Sequence, residues 1–252
     1  SRLYRQPGEI DEMPHNLCEL YQFDIRTYHT WFCTFFSLQK IILSHLKSLQ
    51  SHKSMEYIYE ERNVLPKTFC QELIEKFESD SRIEIGRSVR GVDTKLKRRT
   101  DLDIDIHNDW NIESKYINDV FYTVYQKYIN HLKLYVFEDQ KDIASNLLMN
   151  RSIVKTCSIL GKYKLGDYFK WHIDYTPNEN RLCNCIIYLN ENEACTEFLN
   201  GIKIKPEAGK VVFFPSTWTY AHRSQPVENG DKYVITCFVM LVPQPMITFK
   251  TT

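Results

Sequence analysis

Six β-rich runs, each ended by turn residues, follow one another from Ser152 onward: SIVKTCSIL, DYFKWHID, LCNCIIYLN, IKIKP, KVVFFPS and DKYVITCFVMLV. Short strands at this spacing bury their apolar faces only by sharing a core, as in a sandwich or barrel. Upstream the period changes. In VLPKTFCQELIEKFESD, Leu65, Phe69, Leu73 and Phe77 recur at every fourth position, which predicts a helix with Pro66 at an early helical position. Residues from Ile112 to Leu134 return to helical spacing through Ile117, Val120, Phe121, Val124 and Tyr128. Between these helices TDLDIDI alternates Leu102, Ile104 and Ile106 with three aspartates, the period of a half-buried strand. Helices first and strands last give an α+β chain: a jelly-roll (double-stranded β-helix) core braced by N-terminal helices.

At 252 residues with 43% apolar content, the chain can bury one sizeable core and carry an appended piece. The expected division is a helical extension over residues 1–60, with a helix from about Tyr21 to Leu49, and the jelly-roll domain over 61–252. The most apolar run, WFCTFFSLQKIIL, is too short to span a bilayer and contains Lys40. The polar, acidic start SRLYRQPGEIDEMPH has no signal-peptide character. Lys plus Arg equals Asp plus Glu at 32 each, so no net field draws the chain to nucleic acid or to an anionic membrane, and neither partner is expected. The eight cysteines are scattered, and Cys183-x-Cys185 fits one strand better than a zinc pair, which predicts reduced thiols and a cytoplasmic setting.

Chemistry enters with His172 and Asp174 in YFKWHID. Residues two apart on a strand face the same way, so both can aim into a barrel and bind one metal as adjacent ligands. His222 lies fifty residues on, just past the apolar run KVVFFPS, where a neighbouring strand can present it. Two imidazoles and a carboxylate on one face of a ferrous ion leave three positions open for substrate and oxygen. Lys232, ten positions after His222, opens the last strand; an inward cation there calls for an anionic partner. A second His-x-Asp, His107 and Asp109, runs into a helix, which closes a barrel site poorly; Asp109 is expected to cap that helix and His107 to lie on the surface.

These residues resemble the Fe(II)- and 2-oxoglutarate-dependent dioxygenases, most closely the prolyl 4-hydroxylase branch, over about residues 64–242. VLPKTFCQELIEKFE is similar to that branch's opening helix, RRTDLDIDI to its strand after the substrate loop, and YKLGDYFKWHID to its leader into the H-x-D. RLCNCIIYLNE resembles the following strand and GKVVFFPSTWTYAHRSQPVENGDKYVITCFV the closing signature. The resemblance implies Fe(II) held by His172, Asp174 and His222, with Lys232 on the C5 carboxylate of 2-oxoglutarate and Thr236, four residues on, assisting it. It sets Tyr163 and Tyr188 where relatives put cosubstrate-binding phenols; as core aromatics they would satisfy their hydroxyls elsewhere. Trp218 is expected to pack near the site. O2 is the co-reactant and ascorbate a supporting reductant.

The implied activity is hydroxylation of prolyl residues in a peptide or protein, coupled to decarboxylation of 2-oxoglutarate to succinate. The alternatives are the same chemistry on a free amino acid, another side chain or a small metabolite, and a non-catalytic jelly roll used for interaction. Two departures stand out. NEACTEF, with Ala194 and Cys195, replaces the family's Gly-Gly turn, and Phe169 replaces a tyrosine three before the H-x-D. The segment 86–100, with Lys95, Lys97, Arg98 and Arg99, sits where relatives carry a substrate loop and reads either as a contact for an acidic peptide or as a solvated loop.

Overall fold

The computed structural model describes residues 57–88, 91–133, 153–175 and 179–241. The helix expected over 21–49 and the run from Trp31 to Leu43 lie outside the described residues. Helix α1 spans Lys67–Glu78 and α2 spans Asn111–Lys133. Pro66 precedes α1 as its cap residue, with φ −58° and ψ 139°, so Leu65 is buried from the approach to the helix while Cys70, Leu73 and Phe77 form its inner face.

Strands β1 (Tyr59–Glu61), β2 (Glu84–Ile85), β4 (Thr100–Asp103), β5 (Ile153–Lys155), β6 (Ile159–Tyr163), β8 (Arg181–Tyr188), β11 (Val211–Pro215) and β13 (Lys232–Leu241) make the larger sheet. Its order is β1-β11-β8-β13-β6-β4-β2, with β5 on the far end of β13. The smaller sheet runs β10-β9-β12-β7-β3, from β3 (Lys97–Arg98), β7 (Tyr168–His172), β9 (Thr196–Phe198), β10 (Lys203–Ile204) and β12 (His222–Ser224). From β6 to β13 the chain passes repeatedly between the two sheets, and every pairing is antiparallel: a double-stranded β-helix. The sheet already includes Tyr59 and Glu60, which pair with Phe213 and Val212.

Strand parity sorts the side chains into two cores. Cys183, Cys185 and Ile187 of β8, Val211 and Phe213 of β11, and Tyr233, Ile235, Cys237 and Val239 of β13 pack outward against α1 and α2, meeting Leu73, Phe77, Phe121, Val124 and Tyr128. Their neighbours Ile186, Tyr188, Val212, Phe214 and Val234 point the other way and fill the barrel with Phe198 and Ile204 of the smaller sheet. A slip of one residue in any of these ladders would exchange the two faces, so burial on both sides pins the register. The alternation in TDLDIDI stops early: the strand ends at Asp103, and Ile104–Ile106 form a 3-10 turn that leaves Ile106 on the surface. Asp109 does not cap α2; it sits in a second 3-10 turn, and its carboxylate takes two hydrogen bonds from Arg82 at 2.9 and 2.7 Å.

The turn into β11 depends on Gly209. Its φ is +79°, and a Cβ there would lie 2.2 Å from the carbonyl oxygen of Leu65. That approach is fixed from both sides, because the Gly209 carbonyl accepts from the N–H groups of Val64 and Leu65 and its own N–H donates to Tyr188. Gly209→Ala combines left-handed strain with a clash against backbone and is expected to cost about 3 kcal/mol, the upper end for single substitutions. Urea unfolding followed by circular dichroism checks this; an unchanged midpoint would show that the turn yields freely.

Candidate metal centre

The two histidines meet through the sheet. His222, the first residue of β12, pairs directly with His172, the last of β7, and on its other side with Phe198 of β9. Asp174 lies two residues past the end of β7, and its carboxylate still turns to the same site as the two imidazoles. His172 Nε2 lies 3.6 Å from Asp174 Oδ1 and His222 Nε2 lies 3.4 Å from Asp174 Oδ2. One ligand atom from each of the three falls within 4.8 Å of the others, the single such cluster of three or more His, Cys, Asp or Glu among the described residues. His107 is not part of it.

The donor set fits a divalent metal in more than spacing. Nδ1 of His172 stands 2.7 Å from the Lys170 carbonyl and Nδ1 of His222 stands 3.1 Å from the Tyr220 carbonyl. A carbonyl only accepts, so each ring carries its proton on Nδ1 and turns the Nε2 lone pair to the site, the tautomer a ligand needs. Burial, then the neighbouring His222, lowers the His172 pKa to about 4 and keeps that ring neutral. Burial opposes ionisation of Asp174, yet His222, His172, Arg181 and the Asn184 amide outweigh it and hold the carboxyl below its ordinary value. Asn184, on the barrel face of β8, donates to Asp174 Oδ2 at 2.5 Å and accepts from Ser216 at 2.7 Å, so the amide cannot rotate away. Phe169 stacks on His172, ring centroids 3.5 Å apart and planes 13° apart.

The cluster opens into a cavity of about 1410 Å³, which Lys232, Tyr163 and Thr236 also line. Lys232 is 1% exposed and donates to the Ala194 carbonyl at 2.9 Å and to Ser224 Oγ at 2.5 Å. The segment lacking Gly-Gly thus supplies a carbonyl to this lysine. Burial, then the charge of Arg99, brings the Lys232 pKa down to about 7. Tyr163 pairs with Lys232 across the β6–β13 ladder and lies under its ammonium, 4.7 Å from Nζ to ring centroid. Tyr188 is buried in the barrel core, and its hydroxyl donates to Thr196 Oγ1 at 2.7 Å; Thr196 lines the cavity. Trp218 is 76% exposed in a 3-10 turn, so the expected packing near the site does not occur.

Sequence reasoning missed Asn184, and it missed that Lys97 and Arg99 turn inward. Both cations are buried and share Asp101, whereas Lys95 and Arg98 are exposed. The signal was present: Lys97, Arg99 and Asp101 recur at period two, so one face collects two cations and their counter-ion.

A double-stranded β-helix that gathers two imidazoles and one carboxylate at its open end defines the class of non-haem Fe(II) oxygenases. Within it the family model of the 2OG-Fe(II) oxygenase superfamily matches residues 159–240, the span from β6 to β13 that holds the His-Asp-His cluster and Lys232. The chain is accordingly a 2-oxoglutarate-dependent dioxygenase working with Fe(II) and O2. Solved structures share the fold. A Trichoplax adhaerens prolyl hydroxylase in complex with a hypoxia-inducible-factor peptide fragment is 18% identical, with TM-score 0.55 over 81% of this chain and 92% of that one. A viral collagen prolyl hydroxylase from Paramecium bursaria Chlorella virus-1, bound to 2-oxoglutarate, is 18% identical, with TM-score 0.50 over 74% and 97%. A Pseudomonas putida prolyl-4-hydroxylase is 14% identical, with TM-score 0.50 over 79% and 97%. A search of the curated proteins found no match in sequence. No helix among the described residues is long and apolar enough to cross a membrane.

Proposed function

We propose that this enzyme hydroxylates prolyl residues in a peptide or protein. His172, Asp174 and His222 hold the Fe(II), Lys232 meets the far carboxylate of 2-oxoglutarate, and the hydroxyls of Tyr163, Tyr188 and Thr236 serve that cosubstrate's pocket. The observation that carries this reading is the convergence of three potential ligand atoms within 4.8 Å on the lining of a cavity whose wall bears a buried lysine. Bound iron, with 2-oxoglutarate and O2, supplies the oxidant that inserts one oxygen atom into a C–H bond, the other going to succinate.

The chain's own part is placement. The Lys170 and Tyr220 carbonyls hold both imidazoles in the ligating tautomer, and Asn184 with Ser216 clamps the carboxylate. Ile186, Phe214 and Val234 line the barrel wall with apolar surface that keeps water off the reacting groups. At the mouth, Ile85, Ile106, Trp171, Ile173 and Tyr175 are exposed and apolar, a rim suited to an extended chain presenting a pyrrolidine ring. Six free cysteines among the described residues fit a reducing compartment, and we place the enzyme in the cytoplasm.

The test supplies Fe(II), 2-oxoglutarate and ascorbate, then follows succinate and, by mass spectrometry, the gain of one oxygen on proline-containing peptides. Succinate with an oxygen on proline is the expected result. Succinate with the oxygen on a free amino acid, another side chain or a small metabolite would replace the substrate assignment, and absence of succinate would remove the chemistry.

A further inference from the structure

Arg99 is the least accessible cation facing the cavity after Lys232, its side chain 4% exposed, yet it lies in a segment rich in surface charges. The backbone is built around it. A Cβ on Gly161 of β6 would fall 2.7 Å from the guanidinium carbon of Arg99 and 2.8 Å from Asp101, and one on Gly86 would fall 2.8 Å from Asp101 and 3.0 Å from the Arg99 stem. Two missing side chains therefore make the slot that the ion pair fills, Nε of Arg99 lying 2.5 Å from Asp101 Oδ1. Burial works against the charge of Arg99, but Asp101 and Tyr163 together outweigh it, and the guanidinium stays protonated.

Its two outer nitrogens end on hydroxyls. Nη1 donates to Tyr163 Oη at 3.3 Å and Nη2 to Thr236 Oγ1 at 3.2 Å. Arginine has donors and no acceptor, so each hydroxyl receives a proton there and must direct its own elsewhere. Thr236 has one further contact, 3.5 Å from the Ile159 carbonyl, at the outer limit of a hydrogen bond. Tyr163 faces the cavity. We propose that Arg99 is a positioning residue of the cosubstrate pocket: by occupying one side of the Tyr163 and Thr236 oxygens it turns the phenolic proton toward an anionic ligand, and its charge adds to that of Lys232 in favouring a dicarboxylate.

This inference rests on the 2-oxoglutarate reading above, so the experiment separates the two. Binding of 2-oxoglutarate to the Mn(II)-loaded protein is measured by calorimetry for the native chain and for Arg99→Gln, Arg99→Lys, Tyr163→Phe, Lys232→Ala and the Arg99→Gln/Tyr163→Phe pair. Arg99→Gln should weaken 2-oxoglutarate about 10-fold or more, the scale of a lost hydrogen bond to a charged group, with Mn(II) affinity unchanged. Arg99→Lys should recover part of the loss. Tyr163→Phe should add less than about 2-fold in the Arg99→Gln background, because residues acting as a unit are not additive. Native-like affinity in Arg99→Gln beside a large loss in Lys232→Ala would overturn the inference and leave the reading intact; no binding to the native chain would overturn both, and full additivity would overturn action through Tyr163. Where Arg99→Gln fails to fold because Asp101 is left with Lys97 alone, Gly161→Ala serves, since its Cβ meets side-chain ends of Arg99 and Asp101 and no backbone. It should weaken 2-oxoglutarate about 5-fold or more, again on the scale of a displaced charged hydrogen bond, while keeping a cooperative melting transition and native Mn(II) affinity; unchanged affinity for 2-oxoglutarate would overturn the proposal.

Discussion

Asp174→Asn is expected to reduce succinate formation from 2-oxoglutarate to less than about 1% of native and to weaken divalent metal binding by more than about 100-fold, beyond the range seen when an outer partner of a ligand is lost. The side chain is nearly isosteric, so packing against Asn184 and the two imidazoles is retained while the charge is lost. What disappears is the one anionic donor among the three proposed ligands, and two neutral imidazoles alone give a divalent ion little reason to leave water. The thermal signature separates this from misfolding. Metal at a hundred times its dissociation constant stabilises a native site by about 2.7 kcal/mol, and the same addition should leave the variant's melting temperature unmoved. Native metal content together with native succinate yield in Asp174→Asn would remove Asp174 from the centre.

Lys232→Ala should leave metal affinity almost intact and weaken 2-oxoglutarate by roughly 30-fold or more, the 2–5 kcal/mol typical of truncating one member of a buried charged pair. It should also erase a pH dependence. In the ligand-free protein burial, then Arg99, depresses the lysine from its ordinary 10.5 to about 7. Between these values the unfolded chain binds a proton that the folded chain does not, so lysine's contribution to stability rises with pH across that window and is lost as pH falls through about 7. A dicarboxylate needs the ammonium form. Its binding should therefore take up a proton above about pH 7, and its apparent affinity should fall as pH rises, toward the limiting slope of tenfold per unit set by one linked proton. Calorimetry in buffers of differing ionisation heat reads that proton directly. A pH-independent affinity in the native protein would show that the lysine does not meet the carboxylate.

Much of this was legible because strand parity is a two-letter code. The alternation that sends Cys183, Cys185 and Ile187 to the helices sends Asn184, Ile186 and Tyr188 to the barrel, and the same count puts Lys232, Val234 and Thr236 inside together. His172 and His222 are fifty residues apart, yet two apolar runs of strand character predicted their meeting, and the ladder pairs them directly. Turns were harder to read. TDLDIDI keeps its alternation past the point where the backbone leaves the sheet, and only the Asp103 side chain, which accepts from the Asp105 N–H, marks the change. Asp109 looked like a cap because its proper partner, Arg82, is distant in sequence. Lys97 and Arg99 read as solvated charge because composition weighs a cluster and ignores its period; the counter-ion Asp101, two residues on, was the overlooked sign.

Both faces of β8 and β13 are occupied, one by helix and one by barrel contents. The wall that carries Asn184, Lys232 and Thr236 is therefore bound to the packing of α1 and α2 behind it, and drift in its inward residues would have to be matched by repacking of the helices. The exposed side chains at the mouth, among them Ile106, Trp171 and Ile173, carry no such obligation. A lineage built on this scaffold can exchange one acceptor molecule for another by rewriting its doorway while its oxidising machinery stays frozen.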